Sequence, residues 1–459
     1  DYQALYDWKK NKHRVRLYFF GSDDQLQLVI NDPVENNPTV QGTLRNKTSL
    51  MRLYSAWDYR ISSTLKHHLS VATGQNKLEF SLGDQLSFQN DVNVITLRDE
   101  LTWKKSDQFT LRGGFEGEAY LGTIKLKLPQ PTRKEGQGGQ APLSTLDIKQ
   151  TDRDFQFYNP ALWLEAQWRP TDNLLLLPGA RVDVDTYLGD VAPDPRVNAR
   201  YTLLRDNEGK PIGTIKGGVG RYSQRPSPDE TDATYGNPDL LLEHSAHFSL
   251  GYEHSLSQNL DIDVVGFYKH LYGSVSPIDD PILRYDNNGS GRIYGLEVLF
   301  RHNLTSRFFG WVSYTLMRSE RKDSGAEDYR LFSLDQTHIL TMIAQYKLNS
   351  EWEIGARFRY TTGNPQTPFV NAIYNADNDV YVPIPGPVNS TRVDAFQQLD
   401  LRLDRKWIFN DWMLTAYLEI QNALNRANPE GENWNYNFTQ SQVITSLPII
   451  PSIGLRGEL

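Results

Sequence analysis

The segment Trp352–Thr361 reads Trp-Glu-Ile-Gly-Ala-Arg-Phe-Arg-Tyr-Thr, and this pattern decides the fold class. Its even-numbered positions carry apolar or small side chains, whereas its odd-numbered positions carry mostly charged or polar ones. Successive side chains of a β-strand point to opposite faces of the sheet. The period of two therefore predicts a strand with one apolar face and one charged face.

Three other stretches repeat this alternation, at residues 109–120, 398–406 and 414–421. The alternation persists for about 10–14 residues, whereas strands of soluble proteins average about 5–6 residues. A tilted strand needs about 9–11 residues to cross a bilayer. The pattern thus favours a transmembrane β-barrel over a soluble β-sandwich. In such a barrel the apolar face contacts lipid and the charged face encloses a water-filled lumen.

Composition excludes several other classes. The chain has 459 residues, a formal net charge of −8, 39% hydrophobic residues and a mean hydropathy of −0.56. Because no stretch of about 18 apolar residues occurs, a helical membrane protein is excluded. The absence of cysteine excludes disulfides and thiolate metal sites. The negative charge gives no electrostatic reason to expect nucleic acid as a partner.

Short and long connections alternate along the chain, as in outer-membrane barrels with short periplasmic turns and long extracellular loops. The short connections are residues 9–13, 61–64, 105–107, 170–173, 206–211, 257–259, 303–306, 349–351 and 409–411. The long ones are residues 31–45, 76–91, 129–155, 189–195, 223–242, 274–289, 322–331, 363–391 and 426–448. Residues 76–91 are the weakest of these loop assignments, because residues 78–88 are partly strand-like, and the alternative interpretation is a hairpin that extends outside. The pattern predicts an all-β chain, a transmembrane antiparallel β-barrel with about 19 visible strands.

The order of these connections also predicts an orientation. The last strand follows a long loop, so the C-terminus is expected on the periplasmic side, whereas the first strand descends from outside. Bacterial single-chain barrels have an even number of strands and normally start in the periplasm. We therefore expect residues 1–459 to be the C-terminal, transmembrane part of a larger barrel protein.

Aromatic residues recur beside the short turns, where an interfacial girdle is expected. They are Trp8, Trp57, Tyr59, Trp103, Trp168, Trp352, Trp407 and Trp412. Ordinary packing of aromatic strand residues in a sandwich core is the alternative interpretation.

Several motifs resemble those of TonB-dependent outer-membrane receptors. They are Tyr285-Asp-Asn-Asn-Gly-Ser-Gly-Arg-Ile-Tyr-Gly-Leu-Glu-Val298, Asn237-Pro-Asp-Leu240 with Glu243, Asp335-Gln-Thr-His-Ile-Leu340, Tyr417-Leu-Glu-Ile-Gln-Asn-Ala-Leu-Asn-Arg426 and Pro451-Ser-Ile-Gly-Leu-Arg-Gly457. The resemblance implies a barrel of about 22 strands in a Gram-negative outer membrane. It also implies an N-terminal plug in the lumen and import of a nutrient driven by the TonB complex. The sequence departs from the family in lacking a plug and a TonB box, and in ending with Leu459 instead of an aromatic residue.

The charged strand positions are predicted to line the lumen. They are Arg112, Glu116, Glu118, Arg181, Asp183, Asp185, Glu353, Arg357, Arg359, Asp400, Arg402, Asp404 and Glu419. Because both signs alternate on neighbouring strands, they suit salt-bridge ladders that stiffen the wall or grip a plug. The alternative is a lining for the transport path.

Two loops combine aromatic side chains with Asn and Asp, a composition that suits stacking on a ligand. The candidate ligand-binding residues are Phe369, Tyr374, Tyr381, Trp434, Tyr436 and Phe438. The competing interpretation is packing of loop against loop together with surface adhesion.

No enzyme signature is present, since the zincin, nucleophile-elbow and phosphate-loop motifs are all absent. Asp335 with His338 could form an acid–base pair, although His338 belongs to one of the motifs above. His67 and His68 point to opposite faces of a strand and cannot bind one metal ion. We therefore expect no enzyme, no metal and no cofactor.

The predicted function is a receptor and transporter barrel for a scarce nutrient of the siderophore, vitamin or oligosaccharide class. Its expected partners are outer-membrane lipid, a plug domain or partner chain in the lumen, the TonB complex through an N-terminal region, and a surface lipoprotein. The alternative is a structural or scaffolding barrel that a partner protein closes and whose loops bind surface proteins.

Overall fold

The computed structural model describes residues 1–31, 37, 40–129, 141–234, 236–280 and 283–458. Nineteen long strands form the main antiparallel sheet. They are β1 (Tyr2–Lys10), β2 (His13–Ile30), β3 (Gly42–Arg60), β4 (Leu65–Leu82), β5 (Leu86–Lys104), β6 (Phe109–Pro129), β7 (Ile148–Thr171), β8 (Leu174–Asp185), β9 (Asp190–Arg205), β10 (Pro211–Gln224), β11 (Glu243–Ser257), β12 (Leu260–Pro277), β13 (Tyr285–His302), β14 (Phe308–Lys322), β16 (His338–Lys347), β17 (Trp352–Thr361), β22 (Phe396–Ile408), β23 (Met413–Gln421) and β26 (Ile450–Glu458).

The remaining elements are short and lie in the connections. They are a 3₁₀ turn (Leu143–Thr145), α1 (Pro228–Thr231), β15 (Arg330–Leu331), β18 (Pro365–Gln366), β19 (Phe369–Asn375), β20 (Val380–Pro385), β21 (Thr391–Arg392), β24 (Pro429–Trp434) and β25 (Ser441–Thr445). Across the part of the chain that the structure describes, no helix is long and apolar enough to span a bilayer.

Each long strand pairs with the next one along the chain, from β1 with β2 to β23 with β26. The count of 19 confirms the sequence prediction and its all-β antiparallel class. Within the described residues, β1 and β26 each pair on one side only. We call the end of the sheet with tight connections the turn end, and the end with long connections the loop end.

The two faces of the sheet differ as the alternation predicts. Register places Phe115 of β6, Leu162 of β7 and Val182 of β8 side by side, so one face is a continuous apolar surface. Leu162 is 64% exposed, Leu250 67% and Ile453 82%. Exposing so much apolar area to water is unfavourable by about 25 cal/mol per Å², so this face is the lipid-facing side of the barrel wall.

The predicted aromatic girdle lies on this lipid-facing side. Cross-strand register puts Trp8 of β1, Trp57 of β3 and Trp168 of β7 on the same face as the exposed leucines and near the turn end. Trp412 lies in the turn before β23, where it stacks on Phe409 with ring centroids 4.5 Å apart. Aromatic side chains at this level match the boundary between hydrocarbon and headgroups.

At one predicted loop the structure has the extended hairpin that was the alternative interpretation, and most of a second predicted loop is strand. Residues 76–91 belong to β4 and β5, which pair continuously from Leu65 opposite Trp103 to Leu82 opposite Leu86. Residues 190–195 belong to β9, so the preceding connection is only residues 186–189. In both places the strands extend past the lipid, where neither face has to be apolar. The low-complexity part of loop 129–155, residues 134–140, and the terminal Leu459 lie outside the described residues.

Candidate functional site

The charged residues of β6 and β8 meet on the concave side of the sheet. A cavity of about 710 Å³ is bordered by Glu116 and Glu118 of β6 together with Arg181 and Asp183 of β8. Arg112 borders a smaller cavity of about 180 Å³, which also contacts Glu116 and Arg181. The structure thus brings these five predicted lumen residues to one surface. Their role in transport stays a prediction.

The charges in this cavity neutralise one another. Glu116 accepts hydrogen bonds from the guanidinium groups of Arg98 and Arg181. The Nε of Arg181 also lies 2.8 Å from Asp183. Arg98, which the sequence analysis did not select, further lies 2.8 Å from Glu100 and over the ring of Trp163. Arg98 alternates with apolar residues along β5, so the period-two rule could have found it.

A second charged ladder crosses β17, β22 and β23. Arg357 lies 2.6 Å from Asp400, its directly opposite neighbour. Arg402 lies 2.9 Å from Asp404 and 3.4 Å from Glu419.

The two other charged residues of β17 in this ladder have a cation and an aromatic ring as neighbours. Glu353 receives the Lys406 ammonium at 2.6 Å, and Arg359 lies over the Phe396 ring at 5.4 Å. Seven predicted lumen residues therefore share one face on strands different from those of the first group: Glu353, Arg357, Arg359, Asp400, Arg402, Asp404 and Glu419. The remaining one, Asp185 of β8, borders the first cavity. The mutual pairing suits the stiffened-wall interpretation, because a charge-selective path needs unbalanced charge of one sign.

The six predicted aromatic residues come together at the loop end. Phe369 of β19 lies 5.4 Å from Trp434 and 5.7 Å from Phe438, in edge-to-face contacts. Tyr381 of β20 lies 5.2 Å from Tyr374 and 5.4 Å from Tyr436. Edge-to-face arrangements of this kind are the favoured geometry for aromatic pairs. Each trio joins the two loops that the sequence analysis selected.

Asp379 links two of the three tyrosines, Tyr374 and Tyr436. The hydroxyl of Tyr374 donates to its carboxylate at 2.7 Å, and the hydroxyl of Tyr436 donates to its backbone carbonyl at 2.6 Å. The hydrogen bond from Tyr374 to Asp379 raises the pKa of that phenol above its ordinary value. Burial, followed by the contact with Asp379, raises the pKa of Tyr436. Both phenols therefore remain neutral donors at physiological pH.

The two trios differ in accessibility. Phe438 is buried at 6% exposure, whereas Tyr374 is 48% exposed. The phenylalanine–tryptophan trio thus packs the loops against each other, as the competing interpretation expected. The tyrosine trio keeps ring surface available to a ligand. Val370 and Ile373 of the same hairpin are also exposed, which extends this surface with apolar area.

Buried polar side chains hold the base of these loops. Arg392 of β21 donates at 2.7 Å to the backbone carbonyl of Asp335 and pairs with its fully buried carboxylate. Asn428 both donates to and accepts from the backbone of Gln397, each at 2.8 Å. Asn389 donates to the carbonyl of Leu331 at 2.8 Å. These bonds fix the hairpins that carry the aromatic residues.

The structure separates the residues that resembled an acid–base pair. Asp335 accepts from the backbone N–H of Ser319 at 2.6 Å, whereas the His338 ring contacts the Tyr314 hydroxyl at 2.8 Å. His67 and His68 bond Asp99 and Asp58 respectively, on opposite faces of β4. No group of three or more side chains suited to a metal ion occurs among the residues that could be searched in the described ranges.

Comparison with known proteins agrees with this architecture. Residues 1–423 match a family model described as TonB dependent receptor-like, beta-barrel. No curated protein sequence matches the chain. The chain therefore belongs to the family of TonB-dependent receptor β-barrels, which confirms the resemblance stated above. Receptors and transporters, not enzymes, make up this family and its structural neighbours.

Solved structures share the fold at low sequence identity. The ferric-catecholate import receptor Fiu of Escherichia coli K12 superposes with a TM-score of 0.68 at 12% identity, over 97% of this chain and 72% of that one. The ferripyoverdine receptor of the outer membrane of Pseudomonas aeruginosa gives 0.70 at 12% identity, over 99% and 65%. BauA, the ferric preacinetobactin receptor of Acinetobacter baumannii, gives 0.67 at 12% identity, over 99% and 71%.

Proposed function

We propose that this chain is the ligand-capturing barrel of a transporter that takes up a scarce nutrient through the outer membrane of a Gram-negative bacterium. The observation that carries the proposal is the convergence of Tyr374, Tyr381 and Tyr436 from two loops, with Asp379 bonded to Tyr374 and Tyr436. Family membership and the names of the similar structures, which are receptors for ferric siderophores, support uptake of a small ligand. In this proposal the loop end faces outward and the C-terminus lies in the periplasm.

The charge of the two loops favours particular ligands within the siderophore, vitamin and oligosaccharide classes. Residues 363–391 contain Asp377 and Asp379 but neither lysine nor arginine. Residues 426–438 contain Glu430, Glu432 and, at the base, Arg426. An acidic surface repels a strongly anionic ligand. The site therefore suits a neutral, ring-bearing ligand such as an oligosaccharide or a corrin better than an anionic ferric chelate.

Replacement of Tyr436 by alanine tests the site. We expect the substitution to weaken ligand binding by about 10–100-fold, because it removes a stacking ring and a donor from the tyrosine trio. Binding is measured on the purified barrel with three probes: cobalamin, a neutral maltooligosaccharide and a ferric catecholate. Wild type should bind one of the two neutral probes more tightly than the ferric catecholate.

The matched control is Tyr201→Ala, which removes a tyrosine from the lipid-facing side of β9 and should leave binding unchanged. If both variants lost the same ligand affinity, the tyrosine trio would not be the binding site. If wild type bound the ferric catecholate most tightly, the neutral ligand class would be wrong, but the location of the site would not be contradicted.

The free edges of β1 and β26 support a further part of the proposal. A membrane barrel has to close, because an unpaired backbone edge in lipid is unfavourable. We therefore propose that additional strands pair with both edges and that an N-terminal plug and TonB-contacting segment accompany them in the whole protein. A surface lipoprotein remains a candidate partner of the loops.

Hydrogen exchange tests the proposed closure. In the whole gene product, the backbone amides of β1 and β26 should be protected as strongly as those of β11 and β12, since each would have a partner on both sides. Rapid exchange at both edge strands in that protein would contradict the proposal.

The similar structures do not favour the alternative of a scaffolding barrel. The similar structures are named as receptors and transporters.

A further inference from the structure

Asp99 occupies an unusual place on the barrel wall. It lies on the lipid-facing side of β5 between Leu97 and Leu101, both of which are exposed. Its directly opposite neighbours are Leu69 of β4 and Phe115 of β6. Ionisable side chains are rare among lipid-facing residues, and they indicate a functional site where they occur.

The Asp99 carboxylate lies beside a group of stacked rings. Its Oδ2 is 2.8 Å from Nε2 of His67, which lies edge-on to Trp57 with ring centroids 5.7 Å apart. Trp57 stacks on Tyr59 at 5.6 Å, and His13 stacks on Tyr59 at 4.5 Å. All four rings belong to the lipid-facing side near the turn end, at the level of the aromatic girdle.

The carboxylate of Asp99 has two oxygens, and the His67 ring contacts Oδ2. A neutral imidazole can donate a hydrogen bond to a carboxylate without removing its charge. The nearby cations Lys66 and Arg98 point into the lumen, because they alternate with His67 and Asp99 along their strands. Among the ion pairs formed by the described residues, His67 is the partner of Asp99. The Asp99 side chain is 43% exposed, so an approaching cation can reach it.

We propose that Asp99 and the rings of Trp57, Tyr59 and His67 form a binding site for a phospholipid whose headgroup ends in an ammonium group. The ammonium pairs with the carboxylate and lies against aromatic faces, which attract cations. The acyl chains extend away from the turn end, along the exposed side chains of Leu97 and its opposite neighbour Val71. The position supports a lipid, because the girdle lies at headgroup depth and the site opens to the bilayer. The proposal is independent of the transport function.

Native mass spectrometry in detergent tests this site. The full chain is incubated with an equimolar mixture of phosphatidylethanolamine and phosphatidylglycerol, and the ratio of the two retained lipids is measured. Wild type should retain phosphatidylethanolamine with a preference of roughly 5-fold. Asp99→Asn, which keeps the shape of the side chain, should reduce that ratio to near one.

Two further variants test the aromatic contribution and provide a control for the charge change. Trp57→Leu keeps an apolar side chain but removes an aromatic face, and it should lower the ratio to an intermediate value. Asp107→Asn makes the same chemical change as Asp99→Asn in an exposed turn at the same end, and should leave the ratio unchanged. Three results would each overturn the proposal. They are equal retention of both lipids by wild type, an unchanged ratio in Asp99→Asn, and detection of wild type as a dimer without bound lipid.

Discussion

Replacing Leu250 by arginine is expected to destabilise the barrel by about 2–4 kcal/mol, the cost of a charged side chain on the lipid-facing side near the bilayer centre. Leu250 lies at the middle of β11 and is 67% exposed. Its opposite neighbours are Gly217 and Gly266, which offer no acidic side chain to pair with a new guanidinium. An arginine there has to distort the bilayer or extend toward a distant interface.

Ser249→Arg is the matched control, because Ser249 is the next residue and faces the lumen. There the added guanidinium contacts water, so we expect a change within about 0.5 kcal/mol. Both variants are compared with wild type by guanidinium-induced unfolding in phospholipid vesicles. If Ser249→Arg proved the more damaging substitution, the two faces would have been assigned the wrong way round.

The strands that cross lipid were predictable because the bilayer imposes a strict rule on them. One face contacts hydrocarbon and the other contacts water, so a polar residue on the wrong face is penalised along the whole crossing. Residues 352–361 obey that rule at every position, and their alternation alone identified the strand. The same rule gave the number of long strands and the lipid-facing position of Trp57 and Trp168.

Beyond the lipid the rule no longer applies, and the sequence became ambiguous there. At the loop end of β4 and β5 the alternation is reversed, because Leu78, Phe80 and Phe88 share the face of the lumen-facing residues, so residues 76–91 resembled a loop although their strands are paired up to Leu82 and Leu86. The small hairpins of β19 with β20 and β24 with β25 were missed for the same reason. Strands in water need only pair their backbones, which leaves little trace in residue type.

The site shows a similar division. Residue type was sufficient to select six aromatic side chains, but not to show that Tyr381 and Tyr436, more than fifty positions apart, are in contact. Nor could it show that Arg181 pairs with Glu116 of a non-adjacent strand. Both contacts depend on how loops fold back and how long side chains extend across the concave wall. The Asp99 site did leave a signal, since a single acid interrupts an apolar series.

The buried carboxylate of Asp335 provides the second large effect. It pairs with Arg392, whose Nη1 also donates to the carbonyl oxygen of Gly363 at 3.0 Å, and it accepts from the N–H of Ser319. These bonds join the base of loop 363–391 to the end of β14. Asp335→Ala leaves the guanidinium and a backbone N–H without their acceptor. Removing one partner of a buried ion pair costs about 3–5 kcal/mol.

Because this cost falls on the loop base, we expect loop 363–391 to open roughly 200- to 5,000-fold more often while the barrel strands keep their stability. Limited proteolysis under conditions where opening precedes cleavage should therefore cut this loop roughly 200- to 5,000-fold faster. The matched control is Asp394→Ala, which removes an exposed carboxylate two residues beyond Arg392. Equal cleavage rates in the two variants would mean that Asp335 does not hold the loop. Since Tyr374 and Tyr381 belong to that loop, Asp335→Ala should also weaken ligand binding, although Asp335 lies in the loop base and not among the aromatic residues that contact ligand.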